Sequence, residues 1–200
     1  GYSSYVWSNG ATTKAITVNT AGNYTVTVTD AATGCTGTSA VKAVTVNPLP
    51  VPTITASGPT TFCQGGNVTL TASDASTYLW STGAKTKSIT VNTAGNYSVT
   101  VTNSNGCSGG SSITKVTVNP VPQPTITADG PTTFCNGSNV KLTSSANGTY
   151  LWSNGATAKS ITVSTAGSYN VTVTSNGCSG TSPSTSVIVN PLPVPTVTVS

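Results

Sequence analysis

Residues 68–101 read VTLTASDASTYLWSTGAKTKSITVNTAGNYSVTV, and within the short runs of this stretch the apolar residues fall on every second position. Thr or Ser occupies most of the intervening positions, and no part of the chain shows helical periodicity. The apolar positions of this unit are Val68, Leu70, Ala72, Ile89, Val91, Tyr97, Val99 and Val101, followed by Val116 and Val118. Alternation with a period of two predicts strands that bury one face.

Turn signals separate these runs. They are Gly65-Gly66, Thr82-Gly83, Ala94-Gly95 and Asn105-Gly106, and the neighbouring parts of the chain carry equivalents. The runs that these turns delimit amount to about seven short strands, which predicts a small antiparallel β-sandwich.

The whole unit recurs with a period of about 72 residues. Successive Trp and Tyr landmarks stand 73 and 72 residues apart, and the corresponding cysteines stand 72 and 71 apart. The landmarks are Trp7, Trp80 and Trp152; Tyr24, Tyr97 and Tyr169; Cys35, Cys107 and Cys178. Self-similarity at a fixed spacing is typical of stacked copies of one structural unit.

The phase of the period predicts the domain boundaries. We expect repeat 1 at residues 1–48, truncated at its N-terminal side, repeat 2 at 49–120 and repeat 3 at 121–191. Residues 192–200 are expected to begin a further repeat, because PTVTVS at their end matches the opening of repeat 2. The chain is therefore expected to be an internal piece of a longer array.

The composition argues against an enzyme. The chain has no His, Glu or Arg, and its three acidic residues, Asp30, Asp74 and Asp129, occupy different phases of the repeat. General acid–base catalysis needs a tunable His or a carboxylate pair, and metal sites need clustered ligands. The net charge of +4 comes from scattered lysines, a poor footprint for nucleic acid. We expect no enzymatic activity, cofactor or metal, no nucleic-acid partner, and no membrane span in these residues.

Three motifs resemble an immunoglobulin-like domain. NVTLTAS at 67–73, YLWS at 78–81 and TAGNYSVTV at 93–101 look like its strands B, C and F. Tyr97, with Tyr24 and Tyr169 in phase, resembles the tyrosine corner of that fold. The resemblance implies a core role for these tyrosines and for the tryptophans, each of which would bury on the order of 200 Å². The expected fold class is all-β, a tandem array of immunoglobulin-like antiparallel sandwiches joined by short Pro-rich linkers.

A longer string of motifs resembles a narrower group. FCxG, VTLTAS, YLWSTGA, SITV, TAGNYSVTVT, NGCS and VTVNP are similar to the immunoglobulin-like repeats of very large Bacteroidota surface proteins. Proteins of that group are exported through the type IX system and include gliding adhesins and filamentous attachment appendages. The resemblance covers essentially the whole chain, and it is specific for the repeat class rather than for one protein.

The cysteines do not occupy the usual immunoglobulin positions. Cys63 precedes strand B, and Cys107 follows the turn after strand F. If the immunoglobulin topology holds, these positions lie at opposite poles, separated by a strand of roughly 20 Å, whereas a disulfide needs Cα atoms within about 7 Å. Stacked repeats bring opposite poles together, so we favour an inter-repeat bond between Cys63 and Cys178.

A second pairing stays open from the sequence. It joins cysteines within repeats, Cys63 with Cys107 and Cys135 with Cys178. In the favoured scheme Cys107 and Cys135 would instead pair with repeats outside these residues. Cys35 lacks its partner in both schemes. Cysteines at fixed phases of small Thr-rich and Asn-rich units are typical of oxidising, extracellular settings.

The repeats are joined by NPLPVPT at 47–53, NPVPQPT at 119–125 and NPLPVPT at 190–196. Proline at every second position favours an extended path that resists bending, which predicts a rod. The linker prolines are Pro48, Pro50, Pro52, Pro120, Pro122, Pro124, Pro191, Pro193 and Pro195.

These features predict a mechanical function: a stiff, tension-bearing repeat segment of an extracellular fibre or adhesin for cell-surface attachment or capture. Charged residues make up only 5% of the chain, so we also hypothesise lateral association of identical chains into a filament. One alternative is an array that binds surface glycans through exposed Tyr2, Tyr78 and Tyr150. Another is a passive spacer in a secreted polysaccharide hydrolase.

Overall fold

The computed structural model describes residues 1–197, and every regular element in that range is a β-strand. The strand expected within 192–200 falls partly on residues 198–200, which lie outside the described range, and residues 191–197 contain no strand. Repeat 1 contains β1 (Tyr2–Trp7), β2 (Gly22–Tyr24), β3 (Val26–Asp30), β4 (Thr36–Thr38) and β5 (Lys42–Val44).

Repeats 2 and 3 each contain nine strands in the same order. Those of repeat 2 are β6 (Ile54–Ala56), β7 (Thr61–Cys63), β8 (Val68–Ala72), β9 (Thr77–Trp80), β10 (Ser88–Val91), β11 (Gly95–Tyr97), β12 (Val99–Thr102), β13 (Ser108–Gly110) and β14 (Thr114–Asn119). Those of repeat 3 are β15 (Ile126–Ala128), β16 (Thr133–Cys135), β17 (Val140–Ser144), β18 (Thr149–Trp152), β19 (Ser160–Val163), β20 (Gly167–Tyr169), β21 (Val171–Ser175), β22 (Cys178–Thr181) and β23 (Thr185–Asn190).

Repeats 2 and 3 are each built of two layers, whereas residues 1–48 of repeat 1 contain the strands of one layer only. In repeat 2 one layer has the order β6–β8–β10, and the other joins β9, β12 and β13 to the run β11–β14–β7. β11 and β12 are successive parts of one chain path interrupted at Ser98, and β13 and β14 are interrupted around Ser111. At this second break Ser111 Oγ accepts a hydrogen bond from the backbone N–H of Val99, which a carbonyl would otherwise accept.

The strand order is that of an immunoglobulin-like sandwich, as predicted. One strand pairing in each of repeats 2 and 3 is parallel, unlike the other pairings. β7 runs parallel to β14, and β16 runs parallel to β23, because the first strand of each unit crosses from one layer to the other after a short turn. This crossing takes Cys63 and Cys135 to the end of the last strand of their units.

The alternating apolar residues fill two separate cores. In repeat 2, Val68 and Leu70 of one layer pack with Val99 and Val101 of the other, while the Thr residues between them are more exposed. Trp80 and its counterpart in repeat 3 are each 2% exposed. Repeats 2 and 3 therefore each bury their own tryptophan between the two layers.

The same aromatic hydrogen bonds recur in all three repeats. The indole N–H donates to a carbonyl six residues later, and the tyrosine hydroxyl donates to a carbonyl four residues earlier, the geometry of a tyrosine corner. In repeat 1, Trp7 and Tyr24 are only half-buried. Their predicted core role is incomplete there because residues 1–48 contain no counterpart of β6, β7 and β8.

One buried hydroxyl in repeat 3 has no partner. Ser144 is 1% exposed and its Oγ makes no hydrogen bond, while repeat 2 has Ala72 at the corresponding position. An unsatisfied buried polar group costs about 1–3 kcal/mol. We expect Ser144→Ala to raise the free energy of unfolding of repeat 3 by about 1 kcal/mol or more, measured by urea denaturation.

Ala72→Ser is the reciprocal control and should destabilise repeat 2. A destabilised Ser144→Ala protein would show that the Ser144 hydroxyl is satisfied in solution.

Candidate functional site at the joint between repeats 2 and 3

Cys63 reaches the joint because β7 ends beside the end of β14. In the parallel register Asn119 lies opposite Cys63, and the N–H of Gln64 donates to the Asn119 carbonyl at 2.9 Å. Both strands therefore finish at the pole where the linker to repeat 3 begins. The Pro-rich linker follows β14 directly in the sequence, beginning at Pro120.

Cys178 reaches the joint from the other side, at the first position of β22. It pairs with Ser175 across a two-residue turn made by Asn176 and Gly177, whose φ angles are 49° and 78°. Asn-Gly suits such a turn because both central residues need positive φ. The tight hairpin places Cys178 at the pole that faces repeat 2, where it is 1% exposed.

The two sulfur atoms form a disulfide. The Cys63–Cys178 bond has an S–S distance of 2.07 Å, and its Cα–Cα distance of 5.6 Å is within the normal range for such bonds. It joins repeat 2 to repeat 3 across a sequence separation of 115 residues. The intra-repeat pairing is not the one in the structure, since Cys107 and Cys135 carry free thiols there, as does Cys35.

A side-chain hydrogen bond lies next to the disulfide. Asn119 Nδ2 donates to the carbonyl of Asn176 at 2.9 Å, so the end of β14 is tied to the β21–β22 turn. Sequence reasoning did not identify this contact. The only signal in the sequence is the Asn that precedes the first proline of each linker, at Asn47, Asn119 and Asn190.

The backbone of the linker packs directly against repeat 3, where Pro122 lies over Gly180. We call this contact the linker seat. A Cβ atom added to Gly180 would lie 1.7 Å from the carbonyl oxygen of Pro122. Gly180 needs no left-handed backbone, so the position is glycine because the linker backbone passes directly over the strand. The linker continues into the sandwich, where Pro124 is fully buried.

The joint between repeats 1 and 2 has the same linker seat without the disulfide. A Cβ atom on Gly109 would lie 1.9 Å from the Pro50 carbonyl oxygen, and Pro52 is buried as Pro124 is. Asn103 Nδ2 donates to the Pro48 carbonyl at 3.3 Å. Glycine two residues after each of the three period-matched cysteines was therefore a sequence signal for the seat, and sequence reasoning missed it.

The turn that precedes these cysteines shortens by one residue in each successive repeat. The side chain that accepts hydrogen bonds within the turn also differs between repeats 1 and 2. In repeat 1 Asp30 accepts hydrogen bonds from the backbone and side chain of Thr33 and from the backbone of Ala32, and these lower the pKa of Asp30. In repeat 2 the side chain of Asn103 takes this role. The position of the cysteine is thus kept while the turn varies.

The tyrosines considered for glycan binding do not form a groove. Tyr78 and Tyr150 pack against their cores, and their hydroxyls bond to the backbone of Ala75 and Ala146. Tyr2 is 58% exposed and makes an edge contact with Tyr5 instead. The three rings are therefore not presented as one repeated surface.

Residues 1–197 hold no group of three or more His, Cys, Asp or Glu side chains that could bind a metal ion. Within the same range, no helix has the length and apolar character needed to cross a membrane.

No protein-family model and no curated protein matches the chain. Among solved structures it is similar to murine CEACAM1b, at 16% identity and a TM-score of 0.39, over 70% of this chain and 100% of that one. It is also similar to a chain in the crystal structure of a mouse coronavirus receptor-binding domain complexed with its murine receptor, at 14% identity and a TM-score of 0.42, over 70% of this chain and 100% of that one. The N-terminal four Ig domains of Dscam1 isoform 6.9 match at 14% identity and a TM-score of 0.32, over 94% of this chain and 65% of that one. At such scores, the immunoglobulin-like assignment rests on the chain's own strand order and its tyrosine corners.

Proposed function

We propose that the chain is a structural repeat segment of an extracellular fibre or adhesin, a stiff stalk that bears tension for cell-surface attachment or capture. The observation that carries the proposal is the Cys63–Cys178 bond, which joins successive repeats outside the backbone. A covalent bond between neighbouring repeats resists their separation along the array, and it contributes no reactive group. Disulfides persist in oxidising compartments, which favours an extracellular location.

The linker seats support stiffness. At both joints the carbonyl of a linker proline lies against a strand glycine, and the following linker proline is buried. A linker held on the next repeat cannot swing freely, and its alternating prolines restrict the remaining backbone rotation. This arrangement suits a spacer that must keep its length.

Lateral association of identical chains extends the proposal. β9 and β18 are edge strands, and each carries a half-exposed leucine at the same position, Leu79 at 51% and Leu151 at 56% exposure. Edge strands offer unpaired backbone groups to a neighbour, and neither strand carries a charge that would repel one. A second copy of the chain would present the same features at the same axial spacing.

The resemblance to the repeats of giant Bacteroidota surface proteins adds a route and a setting. In that setting the chain would leave the cell through the type IX system and stand on the cell surface as part of an appendage. The packed tyrosines weigh against the glycan-binding alternative. The other alternative, a passive spacer in a secreted polysaccharide hydrolase, would need the same stiffness, but the protein would be secreted and not part of a surface fibre.

The test is electron microscopy of the native producing cells, labelled with an antibody raised against repeat 2. We expect labels along extracellular fibres that are continuous with the cell surface, and the images show directly whether a fibre is one thread or a bundle. A label confined to the cytoplasm, or to soluble secreted protein with no fibre, would contradict the proposal.

A further inference from the structure

The Cys63–Cys178 bond connects strands that run along the axis of the array. β6 and β7 lead from the linker seat at Pro50 to Cys63, and the parallel pairing of β7 with β14 shows that this path runs toward the next repeat. β22 and β23 begin at Cys178 and lead to Asn190 at the far end of repeat 3. The bond therefore joins the end of one axial path to the beginning of another.

We propose that this disulfide carries axial tension past the folded sandwiches of repeats 2 and 3. A force applied to the two ends of the chain follows the shortest covalent path, which runs through residues 1–63, across the bond, and on through 178–200. The sequence separation of the cysteines is 115, so 114 residues lie between them and outside this path. Those residues cannot be extended while the bond is intact.

The shielded segment contains the parts of the fold that tension would otherwise pull apart. Both buried tryptophans, both tyrosine corners and the central strands of both cores lie between Cys63 and Cys178. In repeat 2 the loaded segment is β6 and β7, and in repeat 3 it is β22 and β23. These strands are already extended, so tension along them produces little lengthening.

The two sulfur atoms of the bond differ in exposure. Cys178 is 1% exposed, whereas Cys63 is half-buried, so a thiol reductant is expected to attack the bond at the Cys63 sulfur. The tension path holds while this bond is intact.

The inference deepens the proposed stalk function, although its test does not depend on the existence of a fibre. The experiment is single-molecule force spectroscopy on the full chain, with handles at residues 1 and 200, under oxidising conditions. At about 3.6 Å per extended residue, the oxidised chain should stop about 40 nm short of the Cys63→Ser/Cys178→Ser double variant. Wild-type chain pulled after full reduction should match the double variant.

Cys107→Ser is the matched control, because Cys107 occupies in repeat 2 the position of Cys178 in repeat 3. This variant should reach the same length as oxidised wild type. An oxidised wild-type chain that extends as far as the double variant would overturn the inference. A Cys63–Cys107 bond would also overturn it, and would be recognised by hiding only 43 residues, about 15 nm, and by a lengthened Cys107→Ser chain.

Two further measurements accompany the pulling experiment. Circular dichroism of each variant establishes that the sandwiches are folded before pulling, and non-reducing peptide mapping identifies the bond that is present. If the lengths are as expected while the antibody finds no surface fibre, the stalk function fails and the tension path stands.

Discussion

Replacing Trp152 with alanine is expected to lower the free energy of unfolding of repeat 3 by about 3–5 kcal/mol. The side chain is 2% exposed, so its removal leaves a large cavity between the two layers. The change also removes the indole N–H that donates to the Ala158 carbonyl at 2.8 Å. Urea denaturation monitored by circular dichroism measures the loss. The unfolding transition of the unchanged repeat 2 in the same chain is the internal reference.

Trp7→Ala is the matched control for this change. Trp7 makes the same hydrogen bond, to the Thr13 carbonyl, but it is only half-buried because residues 1–48 do not include the strands that cover Trp152 in repeat 3. The cost should therefore be clearly smaller than that of Trp152→Ala. Equal costs for the two substitutions would mean that burial between the layers is not what makes the tryptophan important.

Gly180→Ala is expected to open the joint between repeats 2 and 3. The new methyl group would lie 1.7 Å from the Pro122 carbonyl oxygen, a distance that no backbone oxygen tolerates, so the linker must move off the strand. Overpacking of this kind costs about 1–3 kcal/mol, and more where backbone must shift. The displaced linker should also slow formation of the Cys63–Cys178 bond, because the two thiols are no longer held at one joint.

Gly37→Ala is the control for Gly180→Ala. Gly37 occupies the same position in repeat 1, and an added Cβ atom there meets nothing within 4 Å. Its backbone is not left-handed, so alanine should be neutral or stabilise by up to about 1 kcal/mol. Both variants are reduced and reoxidised, and peptide mapping follows the Cys63–Cys178 bond over time. Wild-type kinetics in Gly180→Ala would contradict a seated linker.

Local pattern was sufficient for the fold class. The alternation at Val68, Leu70 and Ala72 is visible in the sequence, and those residues face the core because a strand turns successive side chains to opposite sides. The tyrosine corner was also visible, because Tyr97 forms it with a carbonyl only four residues away. Features built from neighbours in sequence can be predicted from sequence.

The joint was predicted only in outline. The inter-repeat disulfide followed from the poles at which Cys63 and Cys178 should lie, but a competing pairing stayed open until the parallel pairing of β7 with β14 was known. The Asn119 contact and the seat of Pro122 on Gly180 were not predicted. Such contacts depend on how two units meet, and nothing within either unit specifies that.

The pentapeptide ITVNT shows most clearly where the sequence stops and the tertiary structure begins. It occurs at residues 16–20 and again at 89–93, with identical residues. The second copy contributes to β10, whose backbone pairs with β8, while the first copy forms no strand. Residues 1–48 contain no counterpart of β8, and a strand needs a partner for its N–H and C=O groups. Sequence by itself determined the period, the alternation and the capacity to form a strand; only the presence of a hydrogen-bonding neighbour decided whether that strand exists.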